Sequence, residues 1–181
     1  MRELTLEEVQ AILTEGVALA RAKGFPSTVA VVDMGGNLRG LLRPEKGRIA
    51  NPDIAIKKAW TAAALHRSTA QVRELMITPD RFGHGLQFTN ERFCMVAGGF
   101  PIKDEAGDII GGVGTSGGPV ELDIECSLVG LRKLGFPTDF ADPLAATAKP
   151  AKTVKAAKAA ATAKAVKSTV PASGGAKRKK K

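Results

Sequence analysis

Between residues 6 and 23, apolar side chains fall at Val9, Ile12, Leu13, Val17 and Ala20, the three-and-four spacing that lines up one stripe of a helix. Thr5 and Glu8 stand at capping-box distance before it, and Lys23-Gly24 ends it. After Phe25-Pro26 the pattern changes to a β-branched run, Thr28 to Val32, closed by Asp33. Gly35-Gly36-Asn37 then turns the chain into Leu38 to Leu42, and the two runs predict a β-hairpin. Asn51-Pro52-Asp53 predicts a helix start, with Asn51 as the capping side chain, proline at the first position and an acid in the positive first turn. Ile54 to His66 continues that helix around Trp60. Its stretch Ala59-Trp60-Thr61-Ala62-Ala63-Ala64 is smooth on most faces, so another element can approach closely. Ser68-Thr69 breaks and recaps the chain, Gln71 to Ile77 predicts a short helix ending at Pro79, and residues 80–92 read as a loop.

Apolar segments bracket Asp104-Glu105-Ala106-Gly107 and predict a second hairpin. Its second strand, Ile109 to Val113, runs into Gly114-Thr115-Ser116-Gly117-Gly118, and Pro119 opens a helix marked by Leu122, Cys126 and Val129. Strand, glycine-rich bend and helix follow one another, and glycine lets a backbone take positive φ or approach a neighbour closely. A compact site fits this junction. Strands joined by tight turns and helices in groups predict an α+β domain with an antiparallel sheet.

Charge divides the 181 residues into two materials. Residues 1–143 carry 16 Lys and Arg against 18 Asp and Glu, and hold all eight aromatic residues. Residues 144–181 carry ten Lys, one Arg and no acid. The first part is large enough for one good core, and so reads as a globular domain. The second, built almost wholly of Ala, Lys, Thr, Val and Ser, reads as a disordered basic tail. Eleven cations without aromatics suit nonspecific contact with a polyanion through counterion release and not base stacking. The start of the chain does not read as an export signal and no run is long and apolar enough for a membrane span. Two cysteines are too few for a disulfide scaffold, and the expected setting is the cytoplasm.

Ala55-Ile56-Lys57-Lys58-Ala59-Trp60-Thr61-Ala62-Ala63 followed by Thr69, and Gly98-Gly99-Phe100-Pro101-Ile102 with Gly107, Gly111, Gly112, Val113, Gly114, Ser116, Gly117 and Asp123, resemble the GlcG/HbpS-like haem-binding family. Val32-Asp33 with Gly36 and Arg43 matches its first hairpin, so the resemblance spans about residues 5–135. It implies a profilin-like α/β sandwich with a five-stranded antiparallel sheet and helices on its faces. It also implies self-assembly as a dimer or a ring of dimers, and haem as a cofactor in some members. A related domain accompanies the corrinoid adenosyltransferases of the PduO type, and other members sit beside genes of hydroxy acid, diol or aromatic catabolism.

The residues themselves offer a short set of candidates. Any haem or metal ligand from histidine must be His66, at a helix end, or His84, between loop glycines. Each also reads as an ordinary solvated side chain. Asp123, in the first turn of the last helix, either pairs with the helix dipole or orients the bend beside Thr115 and Ser116 as ligand holder or proton acceptor. Gly114 and Gly117 complete that pocket, with Lys57 as anion partner; of the neighbours Lys57 and Lys58 one is expected to face water and the other to bind an anion, with Arg43, or to pair with an acid of the fold. Ser116 lacks a nearby base and makes a poor nucleophile. Three readings follow: an oligomeric small-ligand-binding protein with haem or a related tetrapyrrole as ligand, an enzyme or accessory protein of small-molecule catabolism, and a scaffold whose tail holds a polyanion.

Overall fold

The computed structural model describes residues 2–77 and 85–140. His84 and residues 144–181 lie outside the described residues. The elements are α1 (Leu6–Ala22), β1 (Thr28–Asp33), β2 (Leu38–Leu42), α2 (Asn51–Leu65), α3 (Thr69–Ile77), α4 (Leu86–Thr89), β3 (Gly99–Lys103), β4 (Ile109–Ser116) and α5 (Val120–Lys133). The strands form one antiparallel sheet in the order β2-β1-β4-β3. Four strands, not five, make the sheet among the described residues. Phe93 to Ala97, the stretch ahead of β3, is irregular, with Val96 exposed and Gly98 bending at φ +111°.

Alternation along the strands sorts their side chains between two layers. Val29 and Val31 of β1, Phe100 of β3 and Val113 of β4 pack with Ile12 and Leu13 of α1 and Leu128 and Leu131 of α5. Ala30 and Val32 point the other way, and Val32 packs with Ala59 and Ala63 of α2. On this second face the sheet is nearly bare. Ala30 pairs with Gly114 and Val32 with Gly112, while Gly114 and Gly112 pair with Gly99 and Pro101 on the far side. Pro101 is tolerated because β3 is an edge strand.

Backbone meets backbone across this seam. A β-carbon on Gly112 would lie 2.3 Å from the Ala59 carbonyl oxygen, one on Gly114 2.3 Å from that of Ala55, and one on Gly99 2.5 Å from that of Lys58. Thus β4 extends through Thr115 and Ser116, further than the sequence predicts. Gly114 is a contact position within the strand, and the bend shrinks to Gly117-Gly118. On the other face, α1 and α5 meet closely at Gly16, whose β-carbon would lie 2.6 Å from the Cys126 oxygen, and at Gly130, against Ile12.

Local signals explain several boundaries. The Thr5 hydroxyl accepts from the Glu8 amide at 3.2 Å and the Glu8 carboxylate from the Thr5 amide at 2.9 Å, a complete capping box. Ser68 and Gln71 make the same reciprocal pair for α3, which therefore starts at Thr69. His66 ends α2 in the left-handed conformation, φ 54°. The predicted cap at Asn51 is corrected: Ala50 is the cap residue, makes no side-chain cap bond, and Asn51 is already helical. Pro119 likewise is the cap residue of α5 and not its first turn. Within the predicted loop at 80–92, Leu86–Thr89 forms one helical turn.

Gly114→Val should lower the unfolding free energy by about 3 kcal/mol or more, because neither the strand nor the Ala55 carbonyl has room to yield. Gly107→Ala, at φ +85° with nothing within 4 Å, should cost only about 1 kcal/mol from backbone strain. Denaturant titration of both variants checks the contrast.

Candidate functional site

Lys58 is the largest fully buried side chain of the described domain. It leaves α2 on one side of the sheet, and its ammonium donates to the Thr115 carbonyl oxygen at 2.7 Å and to Asp123 Oδ2 at 3.1 Å. Asp123 belongs to α5, on the opposite face. The pair therefore ties the two helical layers together past the end of β4. It passes beside Gly98, where a β-carbon would lie 3.0 Å from the Lys58 ammonium and 3.0 Å from the Asp123 β-carbon. Glycine is needed here both for that space and for the positive φ.

Asp123 Oδ1 accepts from the Gly118 amide at 3.1 Å, so the carboxylate also pins the bend. Burial pushes its carboxyl above the ordinary value, and Lys58 and the Gly118 and Gly117 amides pull the other way. Burial dominates. Next to it, the Thr115 and Ser127 hydroxyls share a hydrogen bond of 2.7 Å, and Ser127 donates to the Gly98 carbonyl oxygen at 2.7 Å. All of these polar groups are buried.

Of the residues singled out in the sequence, Gly114, Thr115, Ser116, Gly117 and Asp123 come together at this junction, but Lys57 does not. Lys57 is exposed on α2, and the neighbouring Lys58 is the cation that meets Asp123. His66 is exposed at the end of α2. Among the described residues no group of three or more His, Cys, Asp or Glu gathers as a metal site. Cys126 is fully buried and its thiol is pushed up to about 12, chiefly by desolvation, which makes it inert.

Lys58 is one of the two neighbouring lysines that the sequence offers for pairing with an acid, and its partner is Asp123. Ser127, Ser27, Thr28 and Asn51 do not stand out from the sequence as site residues. The last three are buried at the same end of the sheet, and Ser27 Oγ, Thr28 Oγ1 and Asn51 Nδ2 have no hydrogen-bond partner among the described residues. The available signal was spacing: Asn51 stands one helical turn before Ala55 and two before Ala59, on the stripe that faces the sheet.

A second concavity lies elsewhere, between the end of α1 and the chain after β2. A cleft of about 490 Å³ lined by Phe25, Pro26, Pro44 and Lys46 adjoins one of about 370 Å³ lined by Val17 and Leu42, and Arg21 and Pro44 border both. Arg21 pairs with Glu45 at 3.1 Å on this rim.

Breaking the buried pair from one side should be costly. Asp123→Leu or Lys58→Met alone should remove about 3–5 kcal/mol of stability by stranding a buried charge, whereas the double variant should return to within about 1 kcal/mol of the parent. Because folding raises the Asp123 pKa, that carboxyl's own contribution is full below its ordinary value of 3.8 and is lost as pH rises through the folded value. The stability difference between the parent and Asp123→Asn should therefore move against the parent as pH rises through that window. Denaturant titrations in a pH series measure both effects.

The comparisons with known proteins agree with this architecture. A family described as "Haem degrading protein HbpS-like" matches residues 4–132. An uncharacterised 15.0 kDa protein of the dhaT-dhaS intergenic region of Citrobacter freundii is 34% identical over 121 residues, 66% of this chain and 84% of that one. The corrinoid adenosyltransferase PduO of the same organism is 27% identical over 122 residues, 67% of this chain, but the match spans only 36% of that enzyme. The crystal structure of a PduOC:haem complex superposes with a TM-score of 0.70 at 25% identity, covering 76% of this chain and 99% of that one. The chain belongs to the HbpS-like family of haem degrading proteins.

Proposed function

We propose that this chain is a small-ligand-binding protein whose ligand is haem or a related tetrapyrrole, taken up in the cleft beside α1. The supporting observation is the composition of that cleft. Phe25, Pro26 and Leu42 offer accessible apolar surface to a macrocycle, and Arg21 and Lys46 stand at the rim for its propionates. The Arg21–Glu45 pair is exposed on both sides and yields cheaply to a competing carboxylate. Haem would supply an iron with exchangeable axial positions. No His, Cys or Met lines the cleft among the described residues, so it fits the ring and its acids and not the iron. The haem-bound PduOC domain, which this fold matches over nearly its whole length, gives the ligand class its support. By contrast, the junction at Asp123 is too tightly bonded for a macrocycle. A proton-accepting role for Asp123 would also require it to part from Lys58 and Gly118.

A second reading concerns residues 144–181, whose ten Lys and one Arg face no acid in the same segment. Contact with a polyanion suits that charge, and self-association would multiply it.

Hemin added to the purified full chain should produce a saturable Soret shift, weakened about tenfold by Arg21→Glu combined with Lys46→Glu. A spectrum matching free hemin would reject the reading. His66→Ala and His84→Ala, compared by the same titration, report whether either ligates iron. Duplex DNA should bind the full chain with a log–log salt slope of several units, up to ~−10 if all eleven cations engage. Residues 1–143 alone should lack this binding, and equal binding by both would remove the tail from the account.

A further inference from the structure

The stripe of α2 that rides on the sheet changes character at one end. Ala59 sits over Gly112 and Ala55 over Gly114, each in backbone contact. One turn earlier the stripe reaches Asn51, and one strand position on, the sheet presents Ser116 paired with Thr28. All three are buried. An apolar seam thus ends in a polar one, where the same packing could have continued with alanine and glycine.

Three polar atoms at this end are not spent on the fold. Asn51 Nδ2, Thr28 Oγ1 and the neighbouring Ser27 Oγ find no partner among the described residues, although buried polar atoms almost always do. Two of them lie under the bend. Asn51 Nδ2 lies 2.7 Å from where a β-carbon on Gly117 would stand, and Ser27 Oγ lies 3.3 Å from the same point on Gly118. Gly117 and Gly118 are themselves only half-buried, so a side-chain-free bend is what covers the cluster. Two helices begin here, and neither α2 nor α5 has a side-chain cap.

We propose that Asn51, Thr28, Ser27 and Ser116 form a binding site for a small uncharged molecule bearing hydroxyl or carbonyl oxygens, covered by the Gly117-Gly118 bend. The chemistry selects that class. The amide Nδ2 only donates and so requires an acceptor oxygen, whereas the three hydroxyls can donate or accept. Two helix starts favour partial negative charge, but the buried cation nearby, Lys58, is already paired with Asp123, so among the described residues the bend offers no free positive charge to a full anion. Glu121 and Asp53 in the first turns of α5 and α2 add negative charge at those starts. None of Asn51, Thr28, Ser27 and Ser116 lines the cleft beside α1, which the cluster adjoins at Pro26.

The test is a titration of the full chain by ¹⁵N–¹H correlation spectroscopy with hydroxyacetone as the neutral probe and acetate as its anionic counterpart. Hydroxyacetone should shift the Asn51 side-chain amide and the Gly117 and Gly118 amides saturably, and Thr28→Val should weaken the effect several-fold while the remaining spectrum stays folded. Ser27→Ala is the second variant should Thr28→Val disturb the strand. Stronger saturation by acetate would overturn the assignment of a neutral ligand. Shifts by neither probe would leave the cluster to an ordered water and overturn the site.

Discussion

Everything in this domain is positioned by the contact of one helix backbone with one strand backbone. Because Gly112 and Gly114 carry no side chain, α2 lies directly on β4, with the Ala55 and Ala59 carbonyls about where β-carbons would otherwise be. Close approach gives dense packing from small residues, which is how a sheet face made of Ala30, Val32, Gly99, Gly112 and Gly114 still excludes water. It also sets reach. Only a helix held this near lets Lys58 pass the end of β4 and meet an acid that belongs to the opposite layer.

The buried ion pair is a consequence of that geometry and not its cause. Burial outweighs pairing at Asp123, so the pair contributes registration between α2 and α5 more than net stability. Through Gly118 and Thr115 it fixes the bend and the end of β4 at once. The polar end of the seam at Asn51 lies directly under that bend, with Asn51 Nδ2 2.7 Å from where a β-carbon on Gly117 would stand. The cleft beside α1 is bordered instead by exposed side chains, Arg21, Glu45 and Lys46. The domain thus carries an open concavity suited to a flat apolar ligand and a closed polar cluster suited to a much smaller one.

Signals confined to a few neighbouring residues were legible in the sequence. The Thr5–Glu8 box, the turn at Asp104 to Gly107 and the hairpin of β1 with β2 depend on local spacing, and they form where they are expected. Asn51 was not legible, because Asn before Pro reads locally as a cap while the packing of α2 on the sheet turns its side chain inward. Lys57 and Lys58 could not be told apart from an alanine-rich helix whose polar face is ambiguous. Only the observed face, with Ala55 and Ala59 against β4, selects Lys58. Gly114 was read as part of a bend because glycine marks turns and close approaches alike, and here it marks an approach. The fifth strand came with the family resemblance, and in this chain the irregular run from Phe93 to Ala97 stands ahead of a positive-φ glycine. The cleft could not be foreseen, since residues far apart in sequence build it.

The claim that the glycine seam binds helix and sheet into one unit is tested most directly by native-state hydrogen exchange. If it holds, buried amides of α2 near Ala59 and of β4 near Val113 exchange only through global unfolding, with the same opening free energy and the same denaturant dependence. Exchange of the α2 amides through a cheaper, denaturant-insensitive opening while β4 stays protected would show that the helix detaches on its own, and would contradict the account.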